Sequence, residues 1–127
     1  MSKKAGTPTI LVIEDYADSR TLLSSLLRGK GYKVVEARDG KEGLRQVNRV
    51  TPDLILMDLA MPEMDGLSAT RQLRQRHTLA RIPIFAITAY ATGEVRADAI
   101  AAGCAEVFLK PLDVEKLLGK IRTTLGV

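Results

Sequence analysis

The sequence has few of the residues from which several common kinds of functional site are built. Its 127 residues include one cysteine, Cys104, one histidine, His77, and no tryptophan. A lone cysteine excludes an internal disulfide, and a lone histidine excludes a metal centre made of several imidazoles. We predict that Cys104, which ends a run of small residues, packs in the interior, and that His77 lies in a solvated loop.

Long hydrophobic runs are also missing. Hydrophobic residues make up 46% of the chain, enough for a globular core, but no run approaches the roughly 18 residues of a membrane-spanning helix. The basic start is followed by an apolar segment, Ile10 to Ile13, that is too short for a signal peptide. We therefore expect a cytoplasmic protein without membrane insertion, in which a flexible segment, 1–7, precedes one domain, 8–127.

The chain carries a modest excess of positive charge. The formal net charge is +4, and Lys41, Arg45 and Arg49 recur at four-residue spacing along a predicted helix, as in some nucleic-acid-binding proteins. However, acidic residues are mixed through the chain, and aromatic residues make up only 4% of it. We interpret the stripe as a solvated helix face, which could also attract an acidic protein partner, and do not expect DNA binding.

Short β-branched and apolar runs alternate with longer helical stretches along the chain. Because each predicted strand is followed by a helix, the pattern indicates a parallel sheet with right-handed crossovers. Asp18-Ser19 is predicted to cap the first helix, and Leu22, Leu23, Leu26 and Leu27 to form its buried face. The strands are predicted at 9–13, 32–37, 54–58, 82–87 and 106–109, and the helices begin near residues 18, 40, 67, 94 and 114.

Charged residues follow three of the predicted strands. Glu14 and Asp15 come directly after the first strand, Asp58 ends the third, and Lys110 follows the fifth. Open α/β sheets build their sites at the carboxyl ends of the strands, so we expect these side chains to converge. Three carboxylates and an ammonium group at one place suit a divalent cation and a phosphoryl group.

The chain resembles the receiver domain of two-component response regulators from about Thr9 to Leu125. The resemblance implies an α/β fold of the flavodoxin-like, doubly wound type, with five βα units in three layers and a parallel sheet of order 2-1-3-4-5. Five features agree with the family in order and spacing: Glu14-Asp15, Asp58 with Met61-Pro62 and Asp65-Gly66 behind it, Thr88-Ala89, Gly103, and Lys110-Pro111.

The resemblance implies that Asp58 is the phosphoacceptor. Its carboxylate would attack the phosphorus of a phosphohistidine on a sensor histidine kinase or a phosphotransfer protein. Asp15 and Asp58 would bind Mg²⁺ directly, the backbone carbonyl of Ala60 would be a third protein ligand, and Glu14 would act largely through bound water. Water and a phosphoryl oxygen would complete the octahedron.

Thr88 and Lys110 are implied to contact the phosphoryl oxygens, the first through its hydroxyl and the second through its ammonium group. Taken singly, each has an ordinary alternative, since a threonine often ends a strand and a lysine is usually a surface charge. The family also implies a cis Lys110-Pro111 peptide bond.

Two positions depart from the usual family pattern. Most receivers have an aromatic switch residue three before the lysine, where this chain has Val107, and strand alternation points Phe108 to the opposite face. We hypothesise that Tyr90, two residues after Thr88, reports phosphorylation instead. Ala60 cannot orient an attacking water, so we expect slow self-dephosphorylation.

The output is expected to pass through protein contacts, because the sequence shows no DNA-binding, kinase or cyclase module. The family's switch surface comprises the fourth helix, the fifth strand and the last helix, which here carry Arg96, Lys116 and Lys120. This surface could contact an unidentified target or form a homodimer.

We interpret the chain as a stand-alone, non-enzymatic response regulator. One alternative is a receiver excised from a larger hybrid kinase or regulator. A second is a Mg²⁺-dependent aspartyl phosphohydrolase, but such enzymes typically carry an acid/base aspartate where this chain has Ala60.

Overall fold

Strands and helices alternate along the chain. The computed structural model describes residues 6–59, 66–75, 81–90 and 92–127. Its elements are β1 Thr9–Ile13, α1 Ala17–Gly29, β2 Lys33–Ala37, α2 Gly40–Val50, β3 Leu54–Asp58, α3 Gly66–Arg74, β4 Ile84–Thr88, α4 Gly93–Ala102, β5 Glu106–Leu109 and α5 Val114–Leu125. Within this described part of the chain, no helix is both long enough and apolar enough to cross a bilayer.

The strands form one parallel sheet of order β2-β1-β3-β4-β5. This is the order that the resemblance implied, and it confirms the prediction of a flavodoxin-like, doubly wound α/β fold. The register sets Ile13 opposite Met57 and Thr88 opposite Leu109. The carboxyl ends of the strands therefore share one edge of the sheet.

Apolar side chains cover both faces of the sheet, as expected for a parallel sheet between two helical layers. Every residue of β3 and β4 is buried. Val107 belongs to one buried cluster and Phe108 to the other, where its ring centroid lies 5.5 Å from that of Phe85. The prediction that these two neighbours point to opposite faces is confirmed.

Two predicted strands begin earlier than the structure has them. Tyr32 is not in β2 because its N–H donates to the Leu27 carbonyl, 3.2 Å away, in the turn after α1. Ile82 and Pro83 precede β4, and proline lacks the N–H that a sheet ladder uses. The predicted helix 67–76 runs from Gly66 to Arg74, and residue 76 lies outside the described part of the chain.

The start of α1 differs from the prediction. The helix begins at Ala17, directly after Tyr16, so Asp18 lies in its first turn rather than at a cap. There its carboxylate is near the positive end of the helix dipole. The predicted buried face was also partly wrong, since Leu23 and Leu27 are buried but Leu22 is 64% exposed.

The opening of α2 at Asp39-Gly40 is confirmed. The Asp39 side chain accepts a hydrogen bond from the Glu42 N–H at 2.8 Å, and Glu42 Oε1 accepts one from the Arg38 N–H at 2.6 Å. The two bonds satisfy two N–H groups near the start of the helix, although the second comes from Arg38 and not from Asp39 itself.

Arg74 joins the end of α3 to the end of α4. Its Nε and Nη2 both donate to the carbonyl oxygen of Gly103, at 3.1 and 2.8 Å. Gly103 ends α4 in the left-handed region, with φ of 119°. The next residue, Cys104, is buried as predicted, with its sulfur 3.7 Å from Thr70 Oγ1, whereas His77 lies outside the described residues.

We expect Gly103→Ala to lower the free energy of unfolding by about 1–3 kcal/mol, because alanine is strained at this φ. A Cβ there would also lie 2.7 Å from Cγ of Arg74. Urea denaturation followed by circular dichroism measures the change.

The matched control is Gly29→Ala at the end of α1, where a Cβ would meet no described atom within 4 Å. Alanine there should leave stability unchanged or raise it by up to about 1 kcal/mol. Equal losses in both variants would contradict the role of φ at Gly103.

Candidate functional site

Three carboxylates meet at the carboxyl edge of the sheet. Glu14 and Asp15 follow β1, and Asp58 is the last residue of β3. One oxygen from each lies within 4.8 Å of the others. Glu14 and Asp58 are each only 5% exposed, whereas Asp15 is exposed. Two of the three charges are therefore shielded from water. The repulsion between them is stronger in such a buried setting than it would be in water.

Lys110 follows β5 and points into the same pocket. Its Nζ lies 3.2 Å from Glu14 Oε1 and 3.5 Å from Asp58 Oδ2. Partial burial lowers the pKa of Lys110, but the charges of Asp58 and Glu14 and their hydrogen bonds outweigh it, so the pKa is raised overall. The ammonium group therefore stays charged. The Lys110-Pro111 peptide bond is cis, as the resemblance implied.

The pKa of Glu14 is raised in the folded protein. Burial raises the pKa of Glu14, and the hydrogen bond and charge of Asp58 raise it further. The Tyr16 N–H, 3.1 Å from Glu14 Oε2, and the Lys110 ammonium group act in the opposite direction without reversing the shift. A second cation would relieve this crowding, and clustered carboxylate oxygens are the ligands that Mg²⁺ prefers.

Thr88 ends β4 at the same edge and is 4% exposed. Its Oγ1 accepts a hydrogen bond from the Tyr90 N–H at 3.1 Å and lies 3.4 Å from the Tyr90 carbonyl oxygen, to which it donates. The Tyr90 side chain is 72% exposed, and Val107 is buried. The threonine hydroxyl is therefore tied directly to the backbone of Tyr90.

The backbone carbonyl of Ala60 and the loop 61–65 lie outside the described residues. The assignment of Ala60 as a metal ligand stays a prediction. The described strands and loops thus bring together Glu14, Asp15, Asp58 and Lys110, with Thr88 at the same edge.

Arg20, which no pattern in the sequence singled out, contacts the backbone of the acidic turn. Its Nη1 donates to the carbonyl oxygen of Glu14 at 2.8 Å, and its Nε pairs with Glu36 Oε1 at 3.2 Å. The only signal in the sequence was an arginine one turn into the helix that follows the acidic pair. Its partner on β2 is 16 residues away, so no local pattern indicated the contact.

A groove of about 360 Å³ adjoins the site between α1 and α5. Glu14 and Lys110 line its polar end, and the exposed Leu22 lies along its apolar wall. The leucines of α1 therefore line this groove as well as the core.

We expect Glu14→Gln to raise the free energy of unfolding at neutral pH in the absence of divalent cations. Because the pKa of Glu14 is raised in the folded state, this carboxyl contributes stability below its ordinary pKa of 4.5. That contribution is lost as pH rises through the folded-state pKa. The gain from Gln should therefore shrink as pH falls, which urea titrations across acidic to neutral pH measure.

The matched control is Glu115→Gln, an exposed glutamate in the first turn of α5. Loss of its charge should weaken the helix end slightly, by about 0.3–1 kcal/mol, which is the opposite sign. A Glu14→Gln protein that is less stable than wild type at neutral pH would contradict the claim that burial beside Asp58 makes the charge of Glu14 unfavourable.

Two curated relatives differ in how much of their length this chain covers. The polar-differentiation response regulator DivK of Brucella ovis is 32% identical over 120 residues, which are 94% of this chain and 98% of DivK. The transcriptional regulatory protein ZraR of Escherichia coli is 35% identical over 117 residues, which are 92% of this chain. These residues are only 26% of ZraR, so the chain spans about a quarter of that relative.

A solved structure has the same fold. The receiver domain of the sensor histidine kinase PA1611 from Pseudomonas aeruginosa PAO1 matches with a TM-score of 0.87 and 34% identity. The match covers 96% of this chain and all of that domain, which has a magnesium ion coordinated in its active-site cleft. The family model described as the response regulator receiver domain matches residues 10–122. With this match, the sheet order and the acidic edge, the chain belongs to the receiver domain family of response regulators.

Proposed function

We propose that the chain is a phosphoacceptor signalling domain that takes a phosphoryl group from a phosphohistidine onto Asp58. The observation that carries the proposal is the setting of this carboxylate. It is almost fully buried at the end of β3, 3.5 Å from the Lys110 ammonium group and within 4.8 Å of oxygens of Glu14 and Asp15. A nucleophile, a cation and a candidate metal site thus occupy one edge of the sheet.

The donor set fits Mg²⁺, since it consists of oxygens from three neighbouring carboxylates, two of them buried. Asp15 and Asp58 would bind the ion directly, together with the backbone carbonyl of Ala60, and Glu14 would hold it through water. Bound Mg²⁺ would offset the charge of the pocket and of the incoming phosphoryl group.

The transfer exchanges one bond for another. A carboxylate oxygen of Asp58 bonds to phosphorus while the phosphorus–nitrogen bond of the donor breaks, and its electron pair returns to the imidazole. An imidazole protonated on its second nitrogen leaves as the neutral ring, so this chain need supply no general acid, and a carboxylate nucleophile has no proton for a general base to remove. Lys110, already charged and within reach of Asp58, pairs with a phosphoryl oxygen.

Phosphohistidine donors are sensor histidine kinases and phosphotransfer proteins, so we place this exchange in the cytoplasm with one of these as the partner. The proposed role is signalling rather than turnover. An aspartyl phosphohydrolase is disfavoured because Ala60 stands where such an enzyme typically has its acid/base aspartate. A stand-alone regulator and a receiver within a longer protein use the same chemistry at Asp58.

The output surface comprises α4, β5 and α5. Arg96 Nη1 donates to the Val107 carbonyl oxygen at 3.4 Å, and Lys120 pairs with Glu106 at 3.2 Å. These contacts attach both helices to β5, whose next residue in the chain is Lys110. Exposed Leu109 and Ile100 add apolar area to this surface. A downstream protein or a second copy of the chain would bind here.

Intact-protein mass after incubation with Mg²⁺ and acetyl phosphate tests the acceptor. We expect a gain of one phosphoryl group in wild type and none in Asp58→Asn. Asp98→Asn, which changes an exposed aspartate on α4, is the matched control and should gain the group as wild type does. An adduct that persists in Asp58→Asn, or no adduct from acetyl phosphate and from a phosphohistidine donor alike, would contradict the proposal.

A second expected outcome concerns Tyr90. When the Thr88 hydroxyl turns to donate to a phosphoryl oxygen, it must give up its donation to the Tyr90 carbonyl and move relative to the Tyr90 N–H. The amide resonance and the fluorescence of Tyr90 should therefore change on phosphorylation. They should change less in Thr88→Ala, and identical Tyr90 signals with and without the phosphoryl group in wild type would rule out this coupling.

A further inference from the structure

Arg20 connects the acidic pocket to the neighbouring strand. It lies in the first turn of α1, and its side chain is only 14% exposed. Nη1 donates to the Glu14 carbonyl oxygen at 2.8 Å and reaches the Asp15 carbonyl oxygen at 3.5 Å. On its other side, Nε pairs with Glu36 on β2 at 3.2 Å. One guanidinium group thus spans the short turn between β1 and α1 and the strand beside it.

The turn is held at three further points. The Glu14 N–H donates to the Ala37 carbonyl oxygen at 3.1 Å, which extends the pairing of β1 with β2 by one step. The Glu14 carboxylate accepts from the Tyr16 N–H and from Lys110. Arg20 adds the contact to the Glu14 carbonyl oxygen. It also reaches the carbonyl oxygen of Asp15, whose carboxylate is exposed.

We propose that Arg20 is a positioning residue that fixes the Glu14-Asp15 turn so that both carboxylates face Asp58. Its effect on cation binding rests on the proposed function, but its effect on the turn does not. Arg20 touches the backbone of the two residues and not their carboxylates, so it acts through geometry and not as a ligand.

The contact geometry requires arginine rather than any positive charge. A guanidinium group is planar and presents its donors in a fixed fork, so it can hold Glu36 with one edge and a carbonyl oxygen with another. Lysine carries the same charge but has a single nitrogen on a flexible stem. Arg20→Lys therefore keeps the positive charge and removes the planar set of donors.

Glu36 is the ion-pair partner that holds the Arg20 guanidinium group. Its second carboxylate oxygen lies 3.5 Å from Arg28 Nη1. Glu36→Gln removes the charge that holds Arg20 while leaving the acidic pocket itself unchanged. Arg28→Lys alters the other partner of the same carboxylate and leaves the turn untouched, since Arg28 otherwise donates to the Val34 carbonyl oxygen. It is the matched control for loss of an arginine in this network.

The experiment measures Mg²⁺ affinity by calorimetry and the Tyr16 amide proton shift by NMR without metal, in wild type and the three variants. We expect Arg20→Lys to weaken Mg²⁺ binding about 10-fold, as loss of a residue that orients ligands typically does. Glu36→Gln should act in the same direction by a smaller factor. At saturating Mg²⁺ the rate of phosphorylation by acetyl phosphate should stay within about twofold of wild type.

The metal-free readout separates the inference from the proposed function. In Arg20→Lys the Tyr16 amide proton should move upfield as its hydrogen bond to Glu14 lengthens, whereas a merely lower global stability would leave its position unchanged. In Arg28→Lys neither the affinity nor this shift should change.

Arg20→Lys with wild-type Mg²⁺ affinity and a wild-type Tyr16 shift would overturn the positioning role. An equal effect in Arg28→Lys would also overturn it, because loss of either arginine that pairs with Glu36 would then change Mg²⁺ affinity and the Tyr16 shift alike. Failure of wild type to bind Mg²⁺ would contradict the proposed function, and the Tyr16 shift would still decide the role of Arg20.

Discussion

The repulsion between buried carboxylates at one edge of the sheet is the constraint on which the site depends. Glu14 and Asp58 are held almost out of water beside Asp15, and a single ammonium group, that of Lys110, lies between two of them. Such an arrangement is unfavourable by itself, which is why the pKa of Glu14 is raised by burial and by Asp58. A divalent cation bound there, as we propose, would offset this repulsion.

The apolar interior of the sheet determines where these polar side chains can lie. The strands β3 and β4 are fully buried, so polar side chains on them are restricted to the ends, where Asp58 and Thr88 stand. Parallel pairing then aligns those ends with Glu14 and Lys110. At the end of β4, two hydrogen bonds join the Thr88 hydroxyl to the backbone of Tyr90.

Local patterns predicted the fold well, and contacts between distant segments explain what they missed. The start of α2 and the strand-end charges could be predicted because each depends on neighbours in sequence. The cap of α1 could not, since the turn before it is held by Glu14 and Arg20 rather than by a capping side chain. Leu22 followed the helical period of a buried face, but its position beside a groove depends on α5.

The most direct test of this account is the gain in unfolding free energy that Mg²⁺ confers, with ionic strength held constant by NaCl. Wild type should gain about 1.4 kcal/mol for each tenfold rise in Mg²⁺ above the dissociation constant, because the ion binds the folded pocket. Asp58→Asn, with one ligand and one charge fewer, should gain clearly less at the same concentrations. Equal gains in the two proteins, or none in wild type, would contradict the claim that the carboxylates at this edge form a cation site.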